Sequence, residues 1–295
     1  MHDDQLHIDA AMAREMIASQ FPHYGSEPVV QLRGFGTVNA IFRVGDSVTA
    51  RFPLQPQEPT AAAAQLAAEA AAADEFADNA TVSAPRSLGL GRPGPGYPMP
   101  WTLQSWIEGE MTTPDRLAAS DAFATDIARL IAKLRSVDVR GRPFSGVGRG
   151  GDLKKHDTWM ATCFANSGDL SDLPRLRELW ARWRDLPAGG ANRMNHQDLI
   201  PANLLVRDGR LVGVLDAGGF GPADPALDLV VAWHLFDGDR RRLIRDYLGS
   251  DDVEWQRGAA WAFVQAMGLP WYYCTSNPPM AALGRNTLAR LVTGV

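Results

Sequence analysis

The sequence predicts an α+β protein in two parts: a small antiparallel sheet with one main helix over residues 1–106, then a larger, mostly helical part over 107–295. Three observations carry this. Short alternating apolar runs separated by Gly turns crowd the first hundred residues. Longer runs with apolar residues at helical spacing dominate the rest. Between them stands one Asp-Gly hairpin flanked by acidic and amide side chains.

The elements follow in order. Ala10–Gln20 reads as a short helix with Met12, Met16 and Ile17 on one side, ended by Phe21-Pro22. Val29–Leu32, Ala40–Val44 and Ser47–Phe52 alternate as strands, with turns at Gly34-Phe35-Gly36 and Gly45-Asp46. The Ala-rich segment Thr60–Phe76 is helical by propensity and not by amphipathicity. Arg86–Leu90 and Trp101–Ile107 add two strands across the breaker run Gly91–Gly96. Ala118–Val137 carries Phe123, Ile127, Leu130, Ile131 and Leu134 at helical spacing and reads as a core helix. Asp138–Asp152, rich in Gly and Arg, reads as an irregular loop. Leu173–Leu186 is a further helix before the breaker Pro187-Ala188-Gly189-Gly190. Leu227–Phe236, Arg240–Leu248, Val253–Leu269 and Pro279–Leu291 complete the helical half.

Bulk properties narrow the function classes. At 295 residues the chain has length for two lobes and an ample core. A net charge of −5, from 29 basic and 34 acidic residues, argues against a dedicated nucleic-acid binder. Two cysteines, Cys163 and Cys274, lack metal-like spacing and suit a reduced cytoplasmic setting. The start Met1-His2-Asp3-Asp4 has neither the basic nor the apolar region of a signal peptide. No apolar run approaches the ~20 residues that would span a bilayer. Nothing chooses between monomer and dimer.

The most informative stretch is His196-Gln197-Asp198-Leu199-Ile200-Pro201-Ala202-Asn203, followed by Asp216. Asp198 could orient or deprotonate an attacking hydroxyl. The amide of Asn203 and the carboxylate of Asp216 are oxygen ligands of the kind Mg2+ takes beside water and phosphate. Leu204-Leu205-Val206 and Leu211–Leu215 flank Arg207-Asp208-Gly209-Arg210, a hairpin that would bring Asn203 and Asp216 face to face across a metal-sized gap. A lone Asp or Asn beside a strand is more often a turn residue, and His196 alone reads best as a buried structural residue. The ordered set is what points to chemistry.

With these residues the chain resembles the aminoglycoside phosphotransferase family, the antibiotic-kinase branch of the protein-kinase-like fold. That family carries H-G-D-x-x-x-x-N, a strand ending in I-D, then G-D-P-A-x-D-L. Here stand His196-Gln197-Asp198, Val214-Leu215-Asp216 and Ala223-Asp224-Pro225-Ala226-Leu227-Asp228-Leu229. The likeness extends to Gly94–Pro98 and Trp106–Glu110, so it covers nearly the whole chain. Gln197 replaces the usual Gly, and Ala217-Gly218-Gly219 follows the metal Asp. The resemblance implies a nucleotide-binding lobe over 1–106, a catalytic and substrate-binding lobe over 107–295, and Mg2+-dependent transfer of the γ-phosphoryl group of ATP or GTP.

On the nucleotide side, Gly34, Gly36, Thr37 and Asn39 fall where a phosphate-covering loop is needed. Arg51 stands where the wider family commonly has Lys, with Glu69 on the next helix as its expected partner. The backbone of Ser105 and Ile107 is expected at the purine ring. Asp224 reads as a helix cap before Pro225, and Asp228 as a buried anchor of the catalytic loop. Trp233, Trp271, Tyr272 and Tyr273 are candidate substrate-stacking residues, equally readable as core. Asp157, Asp237 and Glu254 are acids that could meet a polycation. The acceptor implied is a small-molecule hydroxyl, of an aminoglycoside or similar antibiotic. The alternatives are a macrolide, another natural product or a metabolite alcohol, or a nucleotide-binding regulatory module that has lost catalysis.

Overall fold

The computed structural model describes residues 5–32, 38–113, 116–170 and 172–294. The chain divides into two compact units, one of Met1–Asp78, Ser83–Glu108 and Asp216–Gly219, the other of Asn79–Val82, Gly109–Leu215 and Phe220–Val295.

The first unit opens with helix α1 (Ala10–Gln20), whose first turn is closed by Asp9 accepting from the N–H groups of Ala11 and Met12 at 2.9 Å. Strands β1 (Val29–Leu32), β2 (Asn39–Val44) and β3 (Val48–Pro53) precede helix α2 (Pro59–Asn79), and β4 (Ser87–Gly91) and β5 (Trp101–Ser105) follow it. They form an antiparallel five-stranded sheet in the order β1-β2-β3-β5-β4. β2 and β3 alternate strictly between buried and half-exposed residues, so Phe42, Val44, Val48, Ala50 and Phe52 all reach one core. Trp101 is fully buried there and stacks on Phe52 at 4.6 Å between ring centres. α2 begins at Pro59, and Glu58 takes the exposed N–H groups of Thr60 and Ala61 at 2.9 and 2.6 Å.

The second unit contributes β6 (Glu110–Met111), α3 (Asp121–Arg135), α4 (Asp157–Asn166), α5 (Leu173–Trp183), β7 (Arg193–Asn195), β8 (Leu204–Arg207), β9 (Arg210–Val214) and β10 (Gly221–Ala223). Helices α6 (Val230–Leu235), α7 (Gly238–Leu248), α8 (Asp252–Ala266), α9 (Leu269–Tyr272) and α10 (Pro278–Gly294) complete it. β8 and β9 form the expected hairpin: Asp208 and Gly209 take φ of 50° and 75°, the left-handed pair that a two-residue turn requires. β6 extends that sheet, and β7 pairs antiparallel with β10. α3 packs on α7, β7 and β9, while α8 packs on α5, α6 and α10.

The sequence reading and the structure differ in places. α4 and the two- and three-residue strands β6, β7 and β10 have no counterpart in the sequence reading. The expected helix Leu227–Phe236 is a 3-10 turn at Leu227–Leu229 followed by α6. The expected helix Val253–Leu269 stops at Ala266, and α9 restarts at Leu269-Pro270, because Pro270 suits the first turn of a new helix and not the interior of an old one. Among the described residues, no helix is long and apolar enough to cross a membrane.

Candidate active site

The loop from His196 to Asn203 runs between β7 and β8, and buried polar groups fix its path. Asp228 accepts the backbone N–H of His196 at 2.7 Å and of Gln197 at 3.0 Å. Burial pushes the Asp228 carboxyl above its ordinary range, against the pull of His196 and of those two N–H groups. His196 is fully buried; its Nε2 lies 2.9 Å from the carbonyl of Leu215 and its Nδ1 accepts from Asp198 N–H at 3.3 Å. Its ring therefore ties the loop to the end of β9, a structural duty. The N–H of Leu215 also bonds the carbonyl of Asn203 at 2.8 Å. Gln197 has φ +72°, a left-handed backbone that explains why glycine is common at this place in the motif.

Within this loop Asn203 and Asp198 meet. The amide Nδ2 of Asn203 donates to the Asp198 carbonyl at 2.9 Å and to Oδ2 of its carboxylate at 3.2 Å. That orientation turns Asn203 Oδ1, a hard oxygen, away from Asp198. Oδ1 of Asp198 accepts from Arg149 at 2.8 Å and from Gln265 Nε2 at 2.9 Å. Sequence reasoning passed over both of these. Arg149 lies in Asp138–Asp152, which the sequence shows as an irregular loop rich in Gly and Arg. Gln265 had one signal, a lone amide in the apolar run Gly258–Ala266.

The expected helix cap at Asp224 is corrected: Ala226 precedes the 3-10 turn at Leu227–Leu229 and Leu229 precedes α6, neither with a side-chain cap, and Asp224 holds the turn before them. Its Oδ1 accepts Ala226 N–H at 3.0 Å, and its Oδ2 takes Arg257 Nε at 2.7 Å and Trp261 Nε1 at 2.8 Å. Arg257 also donates to the carbonyls of Leu186, Pro187 and Gly151. This pair, 4% and 3% exposed, joins α8 to three chain segments around the loop.

In the first unit Arg51, on β3, is ion-paired with Asp216. This corrects the expected pairing of Arg51 with Glu69. Glu69 instead accepts from Gln65 one helical turn away at 2.8 Å and lies against Gly218, where an added Cβ would come 3.0 Å from its own. Glu69 takes its hydrogen bond on its own helix, and the carboxylate that reaches the Arg51 guanidinium is that of Asp216. Asp216 has φ +58°, a conformation that Asp tolerates better than most side chains. Asn39 is half-buried at the start of β2, opposite Pro53. Gly34, Gly36 and Thr37 lie outside the described residues. Ser105 N–H is already donated to the carbonyl of Arg86 at 2.9 Å, which leaves its carbonyl oxygen as the only backbone group it could offer a purine; Ile107 follows β5 and is half-buried.

The aromatic candidates separate. Trp233 is 1% exposed, set against Trp255 and under the Arg241 guanidinium, so it fills the core and is corrected as a stacking surface. Trp271, Tyr272 and Tyr273 form an edge-to-face series, with Tyr272 48% exposed. The candidate acids are already engaged: Asp157 with Arg184 and Trp180, Asp237 as the cap of α7 with Arg240, Glu254 with Arg135 and Ser250.

A five-stranded antiparallel sheet with one long helix, followed by a helical unit carrying His-x-Asp-x-x-x-x-Asn on a strand-loop-hairpin, is the plan of kinase-like phosphotransferases. Solved structures agree at the level of the fold. The GDP and kanamycin complex of APH(2")-IIia is 20% identical with a TM-score of 0.73, over 95% of this chain and 98% of its own. The gentamicin complex of APH(2")-IIa is 16% identical with a TM-score of 0.64, over 97% of both chains. Macrolide 2'-phosphotransferase MphH from Brachybacterium faecium, as an apoenzyme, is 17% identical with a TM-score of 0.63, over 95% of this chain and 97% of its own. Residues 29–261 match the sequence profile of APH, and the chain belongs to this phosphotransferase enzyme family. No curated protein sequence matches the chain.

Proposed function

We propose that the protein transfers the γ-phosphoryl group of ATP or GTP, with Mg2+, to a hydroxyl group of a small molecule. The observation that carries this reading is the fixed pairing of Asp198 with Asn203 in a loop anchored by Asp228 and His196. Asp198 receives or orients the acceptor hydroxyl. The donor set suits the metal: Asn203 Oδ1 and the Asp216 carboxylate are hard oxygens, and Asp216 already holds a cation, the guanidinium of Arg51. Asn203 and Asp216 would hold Mg2+, which when bound neutralises charge on the phosphate oxygens. Arg51 contributes a further positive charge toward the phosphates, and the rate comes from positioning and electrostatics.

For the acceptor, the fold neighbours named for kanamycin and gentamicin favour an aminoglycoside. A second reading is favoured by a particular observation: Asp157, Asp237 and Glu254 are all paired internally, and a cation, Arg149, lies on Asp198. That arrangement suits a neutral or singly charged acceptor such as a macrolide. Release of ADP or GDP with kanamycin, gentamicin and erythromycin separates the two. Asp198→Ala is expected to lower turnover by several orders of magnitude with nucleotide binding retained, whereas Asp216→Ala impairs Mg2+-dependent nucleotide binding as well. Near-normal turnover in Asp198→Ala would exclude the mechanism.

A further inference from the structure

The Asp198 carboxylate is gripped from the helical core as well as from its own loop. Gln265, near the end of α8, donates through Nε2 to Asp198 Oδ1 at 2.9 Å. His234 on α6 is fully buried, with Nε2 3.1 Å from Gln265 Oε1 and Nδ1 2.8 Å from the hydroxyl of Thr287 on α10. Thr287 is fully buried too. Side chains from three helices thus make one unbroken hydrogen-bonded chain that ends on the carboxylate.

Each link admits one direction. A carboxylate only accepts, so Gln265 must turn its NH2 toward Asp198 and its oxygen inward. That oxygen only accepts, so His234 must carry its proton on Nε2. A neutral imidazole then has its lone pair on Nδ1, and Thr287 must donate to it. Burial, which pulls the His234 pKa down to about 4, keeps the ring in the neutral form this pattern needs. Inserting any link backwards would set two acceptors or two donors against each other in a dry core.

We propose that Gln265 is a positioning residue for Asp198, its amide held in one orientation by His234 and Thr287. With Oδ1 filled by Gln265 and Arg149, Oδ2 carries, among the described residues, one contact, from Asn203 at 3.2 Å, and is the oxygen presented to an acceptor hydroxyl. This inference rests on the reading of Asp198 as the residue that meets the acceptor.

The test uses the full-length protein and variants Gln265→Leu, His234→Leu and His234→Gln, with Asp198→Ala alongside. The readout is diphosphate-nucleotide release from Mg-ATP and Mg-GTP, with kanamycin or erythromycin as acceptor, and with water where neither turns over. Gln265→Leu is expected to lower kcat roughly ten- to a hundredfold, the worth of a hydrogen bond to a charged group, with the nucleotide KM within about twofold. His234→Leu should lose about tenfold, and His234→Gln, which keeps an N–H near the position of Nε2, should recover most of it. A kcat within about twofold of wild type in Gln265→Leu, with Asp198→Ala inactive, would overturn the positioning role alone. Activity in Asp198→Ala would overturn the underlying reading instead. Should the variants not fold, nitrogen-15 NMR of the unaltered protein at neutral pH decides: an Nε2-protonated His234 supports the chain, and an Nδ1-protonated or doubly protonated ring refutes it.

Discussion

His234 should make the helical unit sensitive to acid in a way that one substitution can isolate. Its ordinary value is 6.5, and burial lowers it to about 4 in the folded protein. Between those limits the unfolded chain binds a proton that the folded one refuses, so stability falls as pH drops from about 6.5 and levels off below about 4. The gap between 6.5 and about 4, at about 1.36 kcal/mol per pH unit, corresponds to about 3 kcal/mol. The charges facing the ring act in both directions: Gln265 as acceptor and Asp198 favour the proton, while Arg149 and Arg290 oppose it. The assay is urea unfolding of wild type and His234→Gln at several pH values from 7 to 4, followed by tryptophan fluorescence. The stability difference between the two proteins should change by about 3 kcal/mol across that range, against the wild type at the acid end. Asp228 contributes with the opposite sign, because a carboxyl raised by burial favours the folded state as pH falls, but it does so equally in both proteins and cancels. Parallel pH curves for wild type and variant would refute the reasoning.

Three other substitutions test the fold around the site. Gly91→Ala would place a Cβ 2.0 Å from the ring of Trp101, which is fully buried and stacked on Phe52; a loss of about 3 kcal/mol is expected in the unfolding free energy measured with urea. Gln197→Gly relieves a left-handed φ of +72° and should stabilise by about 1 kcal/mol by the same assay. Asp224→Ala strands the Arg257 guanidinium in the interior and should cost about 3–5 kcal/mol, whereas replacing both partners by apolar residues should cost much less, as a double-mutant comparison will show.

What could be read from the sequence, and what could not, divides by the range of the interaction. The β8–β9 hairpin is written locally in Asp208-Gly209, because the turn conformation is a property of those two residues. The order of Asp198, Asn203 and Asp216 is likewise a matter of spacing along one segment. β7 and β10 escape such reading because three residues carry no alternation; their identity as strands comes from pairing with each other far along the chain, as Met194 with Pro222. α4 escapes for a related reason: its buried residues Met160, Cys163 and Phe164 make a short stripe inside a segment bounded by polar turns. The partner of Arg51 was a choice between two carboxylates, one on the adjacent helix and one far along the chain, and only tertiary placement makes it. His234 and Gln265 did leave a mark, as single polar residues within the apolar runs Val230–Phe236 and Gly258–Ala266. Such interruptions are worth treating as candidate partners of a catalytic group before being set aside as tolerated core residues.

The same accounting of partners bears on the acceptor. A polycation transferred from water to a binding surface needs carboxylates that are free to take up its ammonium groups, since each buried unpaired charge is costly. In the helical unit the acids with the best prior claim are spent on the fold itself: Asp157 binds Arg184 through both oxygens and Trp180 as well, Glu254 bridges Arg135 and Ser250, and Asp237 caps α7 while holding Arg240. Turning any of them to a ligand would break an ion pair or a helix cap that the fold already uses. Arg149, by contrast, reaches Asp198 from a loop whose path is held by the Gly150 carbonyl on Asp224 N–H and by Arg257 on the carbonyl of Gly151. On the proposed reading of Asp198, a fixed cation beside that carboxylate disfavours an acceptor that brings several ammonium groups, and its guanidinium fork is well shaped to pair with phosphate oxygens. On that reading, replacing Arg149 by Ala should shift acceptor preference toward the polycation kanamycin relative to the monoamine erythromycin; an equal change with both acceptors would separate Arg149 from acceptor choice and leave it a phosphate contact alone.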